Sequence, residues 1–217
     1  MRRVIVESPF AGKPTVRGFG TDLARELTKR AETTANILYA RAAVRDAVLR
    51  GEAPIASHLL LTQPGILNDD VPHERELGIE AGLAWRGVAD ASVVYTDRGV
   101  SGGMQYGMDR AAETGLTVER RSLPGDWSTT ALVPWDELLR LVPEAEAALG
   151  SEHATRDREE ELMSALLHAR GWGLFQTGPD EGDWLKFHGK TVVARAGDSA
   201  WQQDYEEARD AARRLAA

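Results

Sequence analysis

The sequence predicts an α/β protein: a flavodoxin- or Rossmann-like parallel sheet with flanking helices, followed by a small C-terminal α+β unit. Three observations carry this. Over residues 1–125, short apolar runs alternate with longer stretches of helical periodicity, the mark of successive β-α-β units. The apolar runs are nearly continuous, as in strands buried on both faces. Beyond residue 125 the chain turns richer in Pro, Thr and Glu and then follows a different order of elements.

"RRVIVES" at 2–8 reads as a buried first strand, closed by "SPFAG". "KPTVRGFG" is a loop, with Gly18 and Gly20 breaking any helix. Residues 21–50 are helical, with a break expected near Thr33 and Thr34. "GEAPIASHLLLTQPG" at 51–65 reads as the second strand and its exit loop. Residues 72–87 form a helix, with Pro72 suited to the first turn and Gly87 as the stop. "ASVVYT" at 91–96 is the third strand, "GGMQYGMDRAAETG" a helix ending at Gly115, and "LTVERRSL" at 116–123 the fourth strand. The first domain is expected to end near 125, with a connecting segment at 126–154 that contains a helix at 135–149. Residues 155–217 then read as α-β-β-α. In that unit "WGLFQTG" and "DWLKFHGKTVVARAG" are two strands joined by a Gly-Pro-Asp turn, and Ser199 N-caps the last helix.

The chain has 217 residues and a net charge of −8. That balance disfavours a nucleic-acid polymer as partner, because phosphate contacts need clustered Lys and Arg. A small anion is still open, since the N–H groups at a helix start bind one without net positive charge. The absence of cysteine excludes disulfides, thiolate chemistry and Cys-based zinc sites. The five histidines show no H-x-x-x-H spacing, so no metal is expected, and no cofactor either. The apolar run at the start stops at Glu7 and Pro9, too short for a signal peptide, and no stretch approaches the roughly 18 apolar residues of a membrane span. A cytoplasmic location without membrane contact is expected. "GFGTDLARE" lacks the P-loop pattern, and "GVSGGMQYG" fails the G-x-G-x-x-G spacing.

Five pieces in order carry a resemblance. They are "SPFAG" after the first strand, "NILYARAAVRDAVLRGEAPIASHLL" around Asn36 and His58, and "HERELGIEAGLAW" at 73–85. "ADASVVYTD" at 89–97 and "SGGMQYGMDRAAETGLTVE" at 101–119 complete the set. Residues 1–120 thereby resemble the nucleoside 2-deoxyribosyltransferase-like superfamily, which includes nucleotide N-glycosidases and uncharacterised bacterial and phage branches. The resemblance does not reach residues 125–217. It implies a nucleoside or nucleotide as the small-molecule partner, and a homo-oligomer, since members commonly complete their sites from a neighbouring subunit. It implies a ligand site made of Ser8, Pro9, Phe10, Ala11, Gly12, Asn36, His58, Glu76, Asp97, Ser101, Gly102, Gly103 and Met104.

At the catalytic position the sequence departs from that pattern. The superfamily loop runs Ser or Asp, any residue, Gly, three residues, Glu, then Ala four residues on. Ser101, Gly103 and Ala111 fit, and the Glu falls on Gly107; a frame shifted by two places Gln105 there instead. Neither residue is a carboxylate nucleophile. Asp109 lies about 200° further round the helix and should point away. Asp97, at a strand end, is the candidate catalytic residue, against a plain role in organising the "DRG" turn.

The remaining candidates carry paired readings. Ser101 and the glycines after it offer N–H groups to a phosphate. Phe10 stacks on a base or packs. Asn36 and His58 touch ligand or only cross-link backbone. Glu74, Glu76 and Glu80 serve the helix dipole or one of them faces ligand. Trp172, Trp184 and Trp201 form an aromatic platform or fill a small core. The function expected is nucleoside or nucleotide handling, with glycosyl-bond chemistry by an altered or weak mechanism; the alternative is a non-catalytic binder that senses or sequesters a nucleotide-derived ligand.

Overall fold

The computed structural model describes residues 1–129, 133–150, 158–176, 182–188 and 191–217. These fall into two compact units. One comprises residues 1–11 and 36–127; the other comprises 12–35 and 128–217.

The first unit holds a four-stranded parallel sheet in the order β2-β1-β3-β4, with β1 at Arg2–Glu7, β2 at Glu52–Ile55, β3 at Ala91–Tyr95 and β4 at Thr117–Arg121. This is the expected α/β class with flavodoxin-like strand order. The long helix α1 (Asp22–Leu49) contributes its second half to this unit. There Tyr39, Ala43 and Ala47 pack on Val4, Val6, Val93 and Tyr95. The small alanines let the helix backbone approach the branched strand residues closely. Helix α4 (Gly102–Glu113) packs Met104 and Met108 on Val94. The alternation along β3 therefore feeds two cores, and every residue of that strand is buried. Between β2 and β3 lie α2 (Ser57–Leu61) and α3 (Pro72–Ala84), with a 3₁₀ turn at Trp85–Gly87. Helix α3 has no buried residue, and Leu77, Ile79 and Trp85 stay exposed.

Two expectations in this region are corrected. The break near Thr33 and Thr34 does not occur. Thr33 turns its hydroxyl back onto the Lys29 carbonyl at 3.1 Å, and Thr28 does the same to Arg25 at 3.0 Å, so their side chains are satisfied without interrupting the helix. The "SHLLL" stretch is the short helix α2 rather than an exit loop, because the Leu59 and Leu60 amides both bond the Ala56 carbonyl.

The second unit contains the first half of α1, helix α5 (Trp135–Leu149), helix α6 (Arg158–Ala169), an antiparallel sheet and helix α7 (Ser199–Ala216). The sheet has the order β5-β6-β7, from Trp172–Gln176, Gly182–His188 and Thr191–Arg195. The tail is thus α-β-β-β-α, not α-β-β-α: the long second strand expected there is a hairpin paired from Leu185↔Arg195 to His188↔Thr191. The expected Gly-Pro-Asp turn lies outside the described residues. Ser199 is the first helical residue rather than the cap; Asp198 holds the cap position and its carboxylate accepts from the Arg195 amide at 2.8 Å. The core gathers Leu23, Leu27, Leu138, Val142, Leu162, Leu166, Trp172 and Ala208. Trp201 packs on Trp172 and Trp184 at 5.0 and 5.9 Å, so the tryptophans serve this core. The Trp172 indole donates to Asp204 at 2.9 Å, and Lys186 and Arg170 neutralise that buried carboxylate.

Candidate functional site

In an open parallel sheet the ligand crevice lies at the carboxyl ends of the strands where the connections diverge. Here β1 leads out to β2 on one side and β3 leads to β4 on the other, so the divergence lies between β1 and β3. The residues following those two strands are Ser8 to Ala11 and Thr96 to Arg98.

The first of these segments is tied to its surroundings by specific bonds. Ser8 is buried, and its Oγ lies 2.9 Å from His58 Nε2, the histidine just past β2. Burial lowers the His58 ring to about 4, so it is neutral at pH 7 and takes part in that bond as a neutral imidazole. The Phe10 ring meets His58 edge-on at 6.2 Å. Asn36, on α1, donates to the Phe10 carbonyl at 3.0 Å and accepts from Arg98 Nε at 2.7 Å. Arg98 in turn donates to the Trp127 carbonyl. The sequence-predicted Ser8, Phe10, Asn36 and His58 therefore form one connected set, with Pro9 and Ala11 in the same loop.

Asp97 stands next to this set with its carboxylate engaged. One oxygen accepts from the Tyr39 hydroxyl at 2.6 Å and from the Leu123 amide at 2.9 Å, while the Asp97 amide donates to Tyr39 at 3.0 Å. These bonds join α1, the end of β3 and the segment after β4. Other expected site residues stand apart. Gly12 falls in the other compact unit, where its missing side chain lets it lie against Lys29 and Thr33 of α1. Met104 is 2% exposed and belongs to the core against Val94. Glu76 is on the exposed face of α3. Ser101 N-caps α4, accepting from the Met104 amide at 3.2 Å, and Gly102 and Gly103 are exposed at that helix start. Asp109 is exposed and accepts from Gln105 at 2.8 Å.

The residues that sequence reading missed are Glu7 and Arg86. Glu7 is the last residue of β1, and burial pushes its carboxyl up to about 7 from 4.5, against the opposing pull of Arg86. Arg86, from the 3₁₀ turn before β3, brings its Nη2 to 3.6 Å from Glu7 Oε1 and donates to the Gly107 carbonyl at 2.9 Å. Its side chain is 7% exposed, and its Nε has no hydrogen-bond partner among the described residues. Gly107 completes the group. A Cβ there would lie 2.9 Å from Glu7 Oε1 and 3.2 Å from Arg86 Nη2. A side chain at 107 would make the end of that flexible acid shift, and glycine leaves the carboxyl in its present place. Glu7 and Gly107 are 100 positions apart in sequence, and no local pattern pairs them; a charged residue closing the apolar run from Val4 to Val6 was the available signal.

The family described as "Domain of unknown function (DUF7768)" matches residues 2–121. The chain belongs to that family. No curated protein and no solved structure matches the chain. The DUF7768 match runs from β1 through β4 and takes in Glu7, Ser8, Asn36, His58, Arg86, Asp97 and Gly107.

Proposed function

We propose that the DUF7768 unit of this protein handles a nucleoside or nucleotide at the carboxyl ends of β1 and β3 and acts on its glycosidic bond. The observation that carries the reading is the connected set of Ser8, Phe10, Asn36 and His58 at the point where the sheet connections diverge. It combines an aromatic ring suited to a base with neutral hydrogen-bonding groups suited to sugar hydroxyls. The exposed start of α4, with Gly102 and Gly103 and its helix dipole, suits a 5′-phosphate. The resemblance to nucleoside deoxyribosyltransferases and nucleotide N-glycosidases names the same substrate class. Gly107 in the position of their glutamate supports the second reading, a binder that holds such a ligand intact.

A panel decides between the two. Purine and pyrimidine nucleosides, their 2′-deoxy forms and their 5′-monophosphates are incubated with the protein, and free base is measured by chromatography while binding is measured by calorimetry. Binding with release of base is the expected result. Binding without release leaves the binder, and no binding by any member removes the proposal.

A further inference from the structure

We propose that Glu7 is the acid–base residue of this site: its carboxyl donates a proton to the departing base, and its carboxylate takes one back from the water that adds to the sugar. This rests on the reading of the site as one for nucleosides or nucleotides.

The geometry supports the assignment. Glu7 sits at the end of β1, directly before Ser8, whose hydroxyl is held by His58. About a fifth of its side chain is exposed (19%), so it is not sealed into the core. The Gly107 backbone leaves room for its carboxyl; a Cβ at 107 would lie 2.9 Å from Oε1 and make the carboxyl shift. A carboxyl function thus occupies the space beside position 107 although residue 107 supplies none. The pair with Arg86 is not the arrangement of a structural salt bridge. Such a bridge, when buried, is stable only with close hydrogen-bonded geometry. Here the charges are 3.6 Å apart, the guanidinium spends its Nη2 on the Gly107 carbonyl, and its Nε is unpartnered among the described residues. Burial disfavours the charged form of both partners, raising the acid and lowering the base. A carboxyl that holds its proton into the neutral range suits acid–base work at pH 7.

The step balances as a hydrolysis. The C1′–N bond breaks, and its electron pair leaves with the base nitrogen, which takes the proton from Glu7. A water oxygen bonds to C1′, and its proton goes to the Glu7 carboxylate. Arg86 stands where it stabilises that carboxylate while it is ionised.

The test uses the full chain, with the panel above applied to wild type, Glu7→Gln, Glu7→Ala and the double variant Glu7→Ala/Gly107→Glu. Glu7→Gln keeps size and shape and removes the proton, so base release should fall by about 10²- to 10⁴-fold while binding stays within a few-fold of wild type. In the double variant the truncated strand residue opens the space that Gly107 now leaves to Glu7. Release above the level of Glu7→Ala supports a carboxylate acting at this point. Base release by Glu7→Gln at the wild-type rate overturns the assignment and leaves the nucleoside reading standing. Ligand binding by wild type without any release also overturns it. If wild type binds no member of the panel, the nucleoside reading falls, and the assignment with it.

Discussion

At the scale of the residue, Glu7 makes a thermodynamic prediction that is independent of any substrate. Its carboxyl is near 4.5 in the unfolded chain and about 7 in the folded one. A raised folded value means that the folded state holds the proton more tightly. Its favourable contribution is therefore complete below pH 4.5 and is lost as pH rises through the window to 7. Each unit is worth about 1.4 kcal/mol, so the loss is on the order of 3 kcal/mol for this partly exposed group. Arg86 is the charged group facing Glu7, and Arg110 and Tyr106 of α4 act in turn on Arg86. Glu7→Gln, which stays neutral throughout, should match wild type at pH 4.5 and exceed it in unfolding free energy at pH 8. Denaturant melts at both values measure this; equal stability at pH 8 would mean that the carboxyl ionises without cost. Ser8, Phe10, Asn36 and His58 could be singled out in the sequence because their identities are suggestive wherever they fall. Glu7 could not, since its meaning depends on what α4 leaves opposite it. For Asp97 the strand-end position was readable, but its bonds were not: the Tyr39 hydroxyl and the Leu123 amide, distant in sequence, both donate to one of its carboxylate oxygens.

At the scale of the element, the parallel strands were readable from their apolar runs, while the charges that join them were not. Glu52, at the start of β2, is 7% exposed, and Arg121, at the end of β4, grips both of its oxygens at 2.7 and 2.8 Å. Arg2 of β1 reaches the same carboxylate at 3.2 Å and also bonds Glu119 of β4. The Glu52 carboxyl is held below its ordinary value, first by the hydrogen bond from Arg121. Sequence patterning sees these as isolated charges at strand ends, because the periodicity of one strand says nothing about a partner on another. Removing Arg121 leaves a buried carboxylate with Arg2 as its remaining ion-pair partner among the described residues, and breaking a buried pair costs about 3 to 5 kcal/mol. Arg121→Met should therefore destabilise the protein by about that amount at pH 7. The double change Arg121→Met/Glu52→Gln should recover much of the loss, because no uncompensated charge is left. A thermodynamic cycle from denaturant melts of the four proteins checks this, and additive effects of the two substitutions would show that the ion pair carries no coupling.

At the scale of the whole molecule, compact units and sequence order diverge, and this was the least legible feature. The helical pattern of residues 21–50 is continuous, so nothing in its periodicity assigns the two halves to different cores. Yet Leu23, Ala24, Leu27, Ala31 and Ala35 are all at most 2% exposed within the core that also holds Leu138, Leu166 and Trp172, while Tyr39, Ala43 and Ala47 serve the parallel sheet. A division of the chain near residue 125 takes that first half-helix away from the C-terminal segment. Fully burying a leucine is worth about 1.5 to 3 kcal/mol, so the two leucines alone contribute on the order of 5 kcal/mol before the alanines and the lost packing are counted. Domains of this size are stable by only about 5 to 15 kcal/mol. Residues 128–217 expressed alone should consequently lack a cooperative thermal transition, and the near-ultraviolet dichroism that the Trp172, Trp184 and Trp201 cluster gives in the intact chain should collapse. A synthetic peptide of residues 12–35 should restore part of that signal, since it returns Leu23 and Leu27 to their places. A fragment 128–217 that melts cooperatively with an intact tryptophan signal in the absence of the peptide would show that the C-terminal core closes without the first half of α1.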